Sequence, residues 1–242
     1  MLAYEPKSLS LQKKISLLLT RKGFMRMLVI ENLYMSFGET PVLTGVSLSI
    51  EKGKVYTLVG GNGSGKTTLV NILSGFLKPN QGTILLNGKN LVGVSPYRIN
   101  RLGIGRTFQD LRLANQMTVR ENVMLAFEKK MFGRFHKEDI DRIDEILVKM
   151  SLTEIAGSLA GEISYGQQKL LTLACLVANN ANLLLIDEPV AGIDKNNLLK
   201  ITEIIKELKR EGKTIIQIEH NHNYITQTSD CVIKMEGGKI VC

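Results

Sequence analysis

Val55-Tyr56-Thr57-Leu58-Val59-Gly60-Gly61-Asn62-Gly63-Ser64-Gly65-Lys66-Thr67-Thr68-Leu69 is the stretch around which the rest of the chain falls into order. Residues 55–59 form an apolar run of strand length, and four glycines follow within the next six positions. Leu69, Ile72, Leu73 and Phe76 then recur at helical spacing. Strand, glycine loop and helix therefore come in that order, and residues 60–67 satisfy G-x-x-x-x-G-K-[ST]. In such a loop the glycines let the backbone curl until successive N–H groups face phosphate oxygens, and the helix start adds its positive end. Lys66 is placed to neutralise β- and γ-phosphate charge, and the Thr67 hydroxyl to ligate Mg²⁺. Gly60, Asn62, Gly63, Ser64, Gly65, Lys66, Thr67 and Thr68 are the expected phosphate-side contacts.

Working outward, residues 28–30 and 42–50 alternate with period two between Gly38, Gly45 and Gly53, which predicts antiparallel strands. Residues 83–86 make another strand, with a turn at Asn87-Gly88. The stretch from about 92 to 178 reads as helical. Ile140, Ile143, Leu147 and Met150 share one stripe there, and residues 166–178 are apolar on most faces, as in a buried helix. Beyond it, residues 183–186 predict a buried strand, 198–210 a helix stopped by Gly212, and 214–219 a further strand. Strands separated by helices imply an α/β fold with a mostly parallel sheet, here joined by an antiparallel β subdomain and a helical subdomain over about 92–178.

With 242 residues, 44% of them hydrophobic and 22% charged, the chain can bury a sizeable core. Its net charge of +8 is unevenly spread, with +5 in residues 1–27 and only +3 in the remainder. The body thus lacks the basic stripe expected of a nucleic-acid partner. Residues 1–26 form a basic extension in which Leu11, Ile15, Leu18 and Lys22 fall on one helical stripe. Three readings stay open for it: an amphipathic surface helix, a solvated tail, or translation beginning in fact at Met25 or Met27. No apolar run approaches the ~20 residues of a membrane span. Cys175, Cys231 and Cys242 are odd in number and widely spaced, which argues for a reducing compartment and against a disulfide framework or a zinc site.

Leu183-Leu184-Leu185-Ile186-Asp187-Glu188 ends a buried strand in two carboxylates. Burying unpaired charge is costly, so the pair should face something cationic, and ligands sit at the carboxyl ends of strands in open α/β sheets. Asp187 is accordingly read as a Mg²⁺ ligand through water, and Glu188 as the group that orients and deprotonates a water attacking the γ-phosphate.

Together these residues resemble the ATP-binding subunits of ABC transporters, over about residues 27–242. The resemblance implies a P-loop ABC ATPase fold that binds ATP and Mg²⁺. It implies that Phe37 stacks on adenine, whereas a Phe after a strand otherwise serves the core. It makes Gln109 the Q-loop glutamine reaching Mg²⁺ and the attacking water. Ile163-Ser164-Tyr165-Gly166-Gln167 is similar to the LSGGQ signature, with Tyr165 where that motif has a glycine tolerant of positive φ. Ser164, Tyr165, Gly166 and Gln167 would contact ATP bound to another subunit. Asp194 falls in the D-loop, and His220 would hold the γ-phosphate against Glu188. The working unit implied is a homodimer, or a heterodimer with a related ATPase. It would sit on transmembrane permease subunits at the cytoplasmic face of the membrane, with a solute-binding protein as an indirect partner. Residues 95–109, residues 117–123, the Ser-Tyr-Gly-Gln-Gln signature and Ile218-Glu219-His220 are similar to the branched-chain amino acid importers' ATPases. Urea or amide import, lipid or polysaccharide export, and a soluble non-transport ATPase are the alternatives. The short stretch after residue 241 leaves little room for a regulatory C-terminal domain.

Overall fold

Residues 26–108, 111–127 and 135–241 are described in a computed structural model of the chain. The N-terminal extension through residue 25, Gln109 and Cys242 lie outside the described residues. Arg26, the last residue assigned to that extension, opens the first strand opposite Glu51.

Two sheets share the structure. β1 (Arg26–Phe37) pairs antiparallel with β2 (Thr40–Glu51) and with β4 (Gln81–Leu86), and β5 (Lys89–Asn90) completes an antiparallel sheet of order β2-β1-β4-β5. The second sheet is built on β3 (Val55–Val59), β6 (Ile104–Arg106), β7 (Leu183–Asp187), β8 (Thr214–Ile218), β9 (Cys231–Glu236) and β10 (Lys239–Val241), in the order β10-β9-β3-β8-β7-β6. Its pairs are parallel except β9 with β10.

The complete burial of β7 and β8 follows from cover on both faces. Leu183, Leu185, Ile216 and Ile218 pack with the antiparallel sheet and α1 (Lys66–Leu73). Leu184, Ile186 and Ile215 point the other way. There they meet α3 (Val119–Ala126), α4 (Lys137–Lys149), α5 (Tyr165–Ala178) and α6 (Lys195–Arg210). A short α2 (Pro96–Arg101) leads into β6, and α7 (His222–Thr228) follows β8. Gln217 is wholly buried among the apolar residues of β8 because every polar end is met. The Tyr224 hydroxyl donates to its Oε1 at 2.9 Å, and its Nε2 donates to Thr57 at 2.9 Å and Thr228 at 3.2 Å.

Three expectations change. Phe76, placed on the stripe of α1, lies beyond its end: Ser74 caps the helix, Gly75 takes φ +76°, and Phe76 is half exposed with its ring edge-on to Phe108 at 5.4 Å. Within the stretch read as helical, residues 104–106 are the edge strand β6, paired with residues 183–185. Ile140 stands partly outside its stripe, 42% exposed, while Ile143, Leu147 and Met150 are buried.

Candidate active site

Parallel pairing sets the carboxyl ends of three strands side by side. Leu58 of β3 and Asp187 of β7 both stand opposite Ile218 of β8, so the segments that leave these strands are neighbours. The Glu188 N–H donates to the Ile218 carbonyl at 3.0 Å, and Glu219 N–H reaches the Leu58 carbonyl at 3.5 Å. A glycine loop, two carboxylates and a histidine are thereby brought to one edge.

The loop can close only with glycine at two positions. At Gly60 (φ +153°) a Cβ would sit 2.2 Å from the Met235 carbonyl oxygen, and at Gly65 (φ +99°) it would sit 2.7 Å from a Leu43 methyl. Gly65 is also the left-handed N-cap of α1, whose first N–H groups have no intrahelical partner. Lys66 is 6% exposed and donates to the carbonyls of Gly60 at 2.8 Å and Gly61 at 2.9 Å and to Ser64 Oγ at 3.3 Å. Burial pushes its pKa down, and the charges of Glu188 and Asp187 oppose that fall. Thr67 is exposed at the start of α1. A cleft of about 450 Å³ opens beside the loop, between residues 61–64 and residues 234–237.

Asp187 is buried, and burial raises its pKa against the pull of Arg106, Lys169 and Lys66. Glu188 adopts φ +47°, uncommon for a residue with a side chain, and its Oε1 is 3.9 Å from His220 Nε2. The His220 side chain is half exposed. Thr107 links β6 to this edge: its N–H donates to the Leu185 carbonyl at 2.9 Å and its hydroxyl accepts from the Asp187 N–H at 3.1 Å. Arg106 donates to Asn71 and Ser74 and lies against the rings of Phe76 and Phe108, fixing the chain just before Gln109. Phe37 is 50% exposed at the end of β1, as a stacking platform must be and a core residue is not.

The signature segment approaches this edge from the other face of the sheet. Ser164 caps α5 and exchanges hydrogen bonds with Gln167, while Tyr165 is the first helical residue and therefore needs no positive φ. Gly166 is pressed against α6, where a Cβ would fall 2.2 Å from Asn197 Nδ2. Asp194 caps α6 through the N–H groups of Asn196 and Asn197. Helix α5 belongs to one core and α1 to the other, so the signature and the phosphate loop of one chain stand on opposite faces of the sheet.

Sequence reasoning missed Glu219. Its carboxylate is buried and accepts from the N–H groups of Val190 at 3.0 Å, His220 at 2.8 Å and Asn221 at 3.1 Å, tying together the segments after β7 and β8. The available signal was a carboxylate directly after an apolar strand, which has to find donors. Hydrogen bonds to a charged group contribute about 1.5–3 kcal/mol each. Set against the cost of burying the carboxylate, three such bonds leave Glu219→Ala expected to destabilise the fold by about 3 kcal/mol. By the size scaling of thermal unfolding, that lowers Tm by roughly 6–12 °C. Calorimetry reads this directly, and an unchanged Tm would rule out the role.

The profile of the ABC transporter family matches residues 43–191. The chain belongs to the ABC transporter family. This ABC ATPase subunit is 33% identical over 225 residues to the high-affinity branched-chain amino acid transport ATP-binding protein BraF of Pseudomonas aeruginosa, covering 87% of this chain and 88% of that one. It is 34% identical over 226 residues to LivG of Escherichia coli, of the same description, covering 88% and 89% of the two chains. Among solved structures, an ATP-binding cassette of an ABC transporter in its ADP conformation superposes with TM-score 0.82 at 32% identity, over 90% of each chain. A dimeric cassette in a post-hydrolysis state, bound to ADP and Pi, superposes with TM-score 0.80 at 27% identity, over 89% of this chain and 97% of that one. The fold is that of an ABC ATPase, the activity is ATP hydrolysis coupled to transport, and the cassette binds ATP. No helix among the described residues is long and apolar enough to cross a membrane.

Proposed function

We propose that this ATPase drives an importer of branched-chain or other amino acids, working as a pair of cassettes against permease subunits at the cytoplasmic face of the membrane. The observation that carries the chemistry is the approach of Glu188 and His220 to 3.9 Å at the strand edge that also bears the Lys66 loop. The triphosphate lies along the loop, its charge met by main-chain N–H groups and Lys66. Phe37 stacks on the adenine. Glu188 accepts a proton from the water that attacks the γ-phosphorus, the bond to the β-phosphate oxygen breaks, and ADP leaves with that electron pair. His220 holds the γ-phosphate oxygens beside Glu188.

A buried acid whose pKa is raised by burial suits a cation. A magnesium ion, which takes oxygen ligands, would be held by the Thr67 hydroxyl and by Asp187 through water, with Gln109 as a further ligand, and would offset charge on the β- and γ-phosphates.

Because α1 and α5 cover opposite faces, Ser164 and its neighbours are available to a second cassette's nucleotide rather than to their own, which supports the paired arrangement. The dimeric cassette among the similar structures supports it too. The amino acid cargo rests on the relatives described as branched-chain amino acid transport proteins. Copurification from the native cells tests the assignment: a polytopic membrane protein and an amino-acid-binding protein are expected. Recovery with ribosomes or nucleic acid instead would overturn it.

A further inference from the structure

The backbone at Glu188 is held where few side-chain-bearing residues go. Its φ of +47° lies in the left-handed region, and Pro189 follows it, although a residue before proline is ordinarily driven to extended backbone. Such a conformation persists only where its surroundings over-determine it. The N–H side is fixed by the Ile218 carbonyl at 3.0 Å. The carbonyl side receives a long hydrogen bond from Ala191 N–H at 3.4 Å and a short one, 2.9 Å, from the Lys169 ammonium.

Lys169 is itself buried, 6% exposed, one turn into α5. Its ammonium lies 5.5 Å from the centre of the Tyr165 ring, on the preceding turn of the same helix. That ring stands 3.5 Å from where a Cβ on Gly192 would be, so signature, ammonium and the segment after Glu188 are packed together. A buried lysine needs acceptors, and a neutral side chain would have filled the same space without that demand.

We propose that Lys169 is a positioning residue for hydrolysis: by clamping the Glu188 carbonyl it keeps the left-handed turn that presents the Glu188 carboxylate toward His220. The inference rests on the reading of Glu188 as the base. Ser164 caps the helix that carries Lys169, so the signature and the same chain's Glu188 are joined through one helix.

Lys169→Met keeps the stem and removes the donor. It is expected to lower kcat about tenfold, part of what a general base supplies, with KM for ATP changed less than about twofold. Lys169→Arg, which retains a cationic donor, is expected to recover most of the rate. In a Glu188→Gln background, single-turnover rates with and without Lys169→Met should agree, since a clamp on an absent base has nothing left to position. Wild-type turnover in Lys169→Met, a raised KM at unchanged kcat, or a full tenfold loss persisting in the Glu188→Gln background would each overturn the proposal. Should Lys169→Met not fold, Lys169→Leu carries the same cycle, since it too lacks a donor for the Glu188 carbonyl. Undiminished turnover in Glu188→Gln alone would instead remove the base assignment, whatever Lys169 does.

Discussion

Glu188→Gln is expected to keep ATP binding and to slow hydrolysis by ~10²-fold or more, the usual cost of losing a general base. The substitution is nearly isosteric and leaves untouched the main-chain contacts that shape this turn, the Glu188 N–H to Ile218 and the Lys169 ammonium to the Glu188 carbonyl. What it removes is the carboxylate 3.9 Å from His220, the proposed proton acceptor. The loop around Lys66 is built without the Glu188 side chain, so nucleotide affinity should be preserved. In the proposed paired arrangement ATP favours association and hydrolysis reverses it, so retained nucleotide with blocked turnover should trap the closed pair. Phosphate release, equilibrium ATP binding and size-exclusion chromatography with and without ATP measure the three consequences. Turnover within a few-fold of wild type, or a mutant that pairs no better with ATP than without it, would contradict this account.

The legible parts of this chain are those where local pattern and tertiary requirement agree. Residues 55–59 look like a buried strand because both faces of β3 are covered, and residues 60–65 look like a turn because Gly60 and Gly65 approach other atoms too closely for a side chain. Residues 183–186 are apolar at every position for the same two-sided reason. The hidden parts depend on partners distant in the chain. Strand β6 has three residues with a glycine in the middle, a composition that signals no strand; pairing with β7 makes it one. A Cβ at Gly105 would stand 2.7 Å from a Leu176 methyl and 3.0 Å from the Ala181 Cβ, so a larger residue there would press on both. Phe76 fits the arithmetic of a helical stripe, yet Gly75 turns the chain away before the stripe reaches it. In the site, glycine spacing and strand-end acids pointed to Lys66, Asp187 and Glu188, and the family resemblance to His220. Glu219 and Lys169 act on main-chain groups of residues far off in sequence, and no spacing rule encodes such a contact.

Lys66→Ala is expected to abolish detectable hydrolysis and to weaken ATP binding by about 100-fold. The ammonium is the charged donor within the loop, and its present acceptors, the Gly60 and Gly61 carbonyls and Ser64 Oγ, show that it folds back over the same curl of backbone that would cradle a triphosphate. Two charge-assisted hydrogen bonds of about 1.5 kcal/mol each amount to about 3 kcal/mol. That loss corresponds to roughly two orders of magnitude in Kd. The fold itself should change little. Gly60 is half-buried and Gly61 exposed, so water can replace the ammonium at their carbonyls, and burial of the Lys66 charge, which already depresses its pKa, opposes whatever its hydrogen bonds contribute to stability. A Kd shift at nearly constant Tm is thus the signature of lost phosphate recognition, whereas a fall in Tm of ten degrees or more with a matching loss of binding would mean that Lys66 holds the loop together. Binding titrated by calorimetry alongside thermal unfolding distinguishes the two, and unchanged affinity and turnover would remove the loop from the nucleotide site altogether.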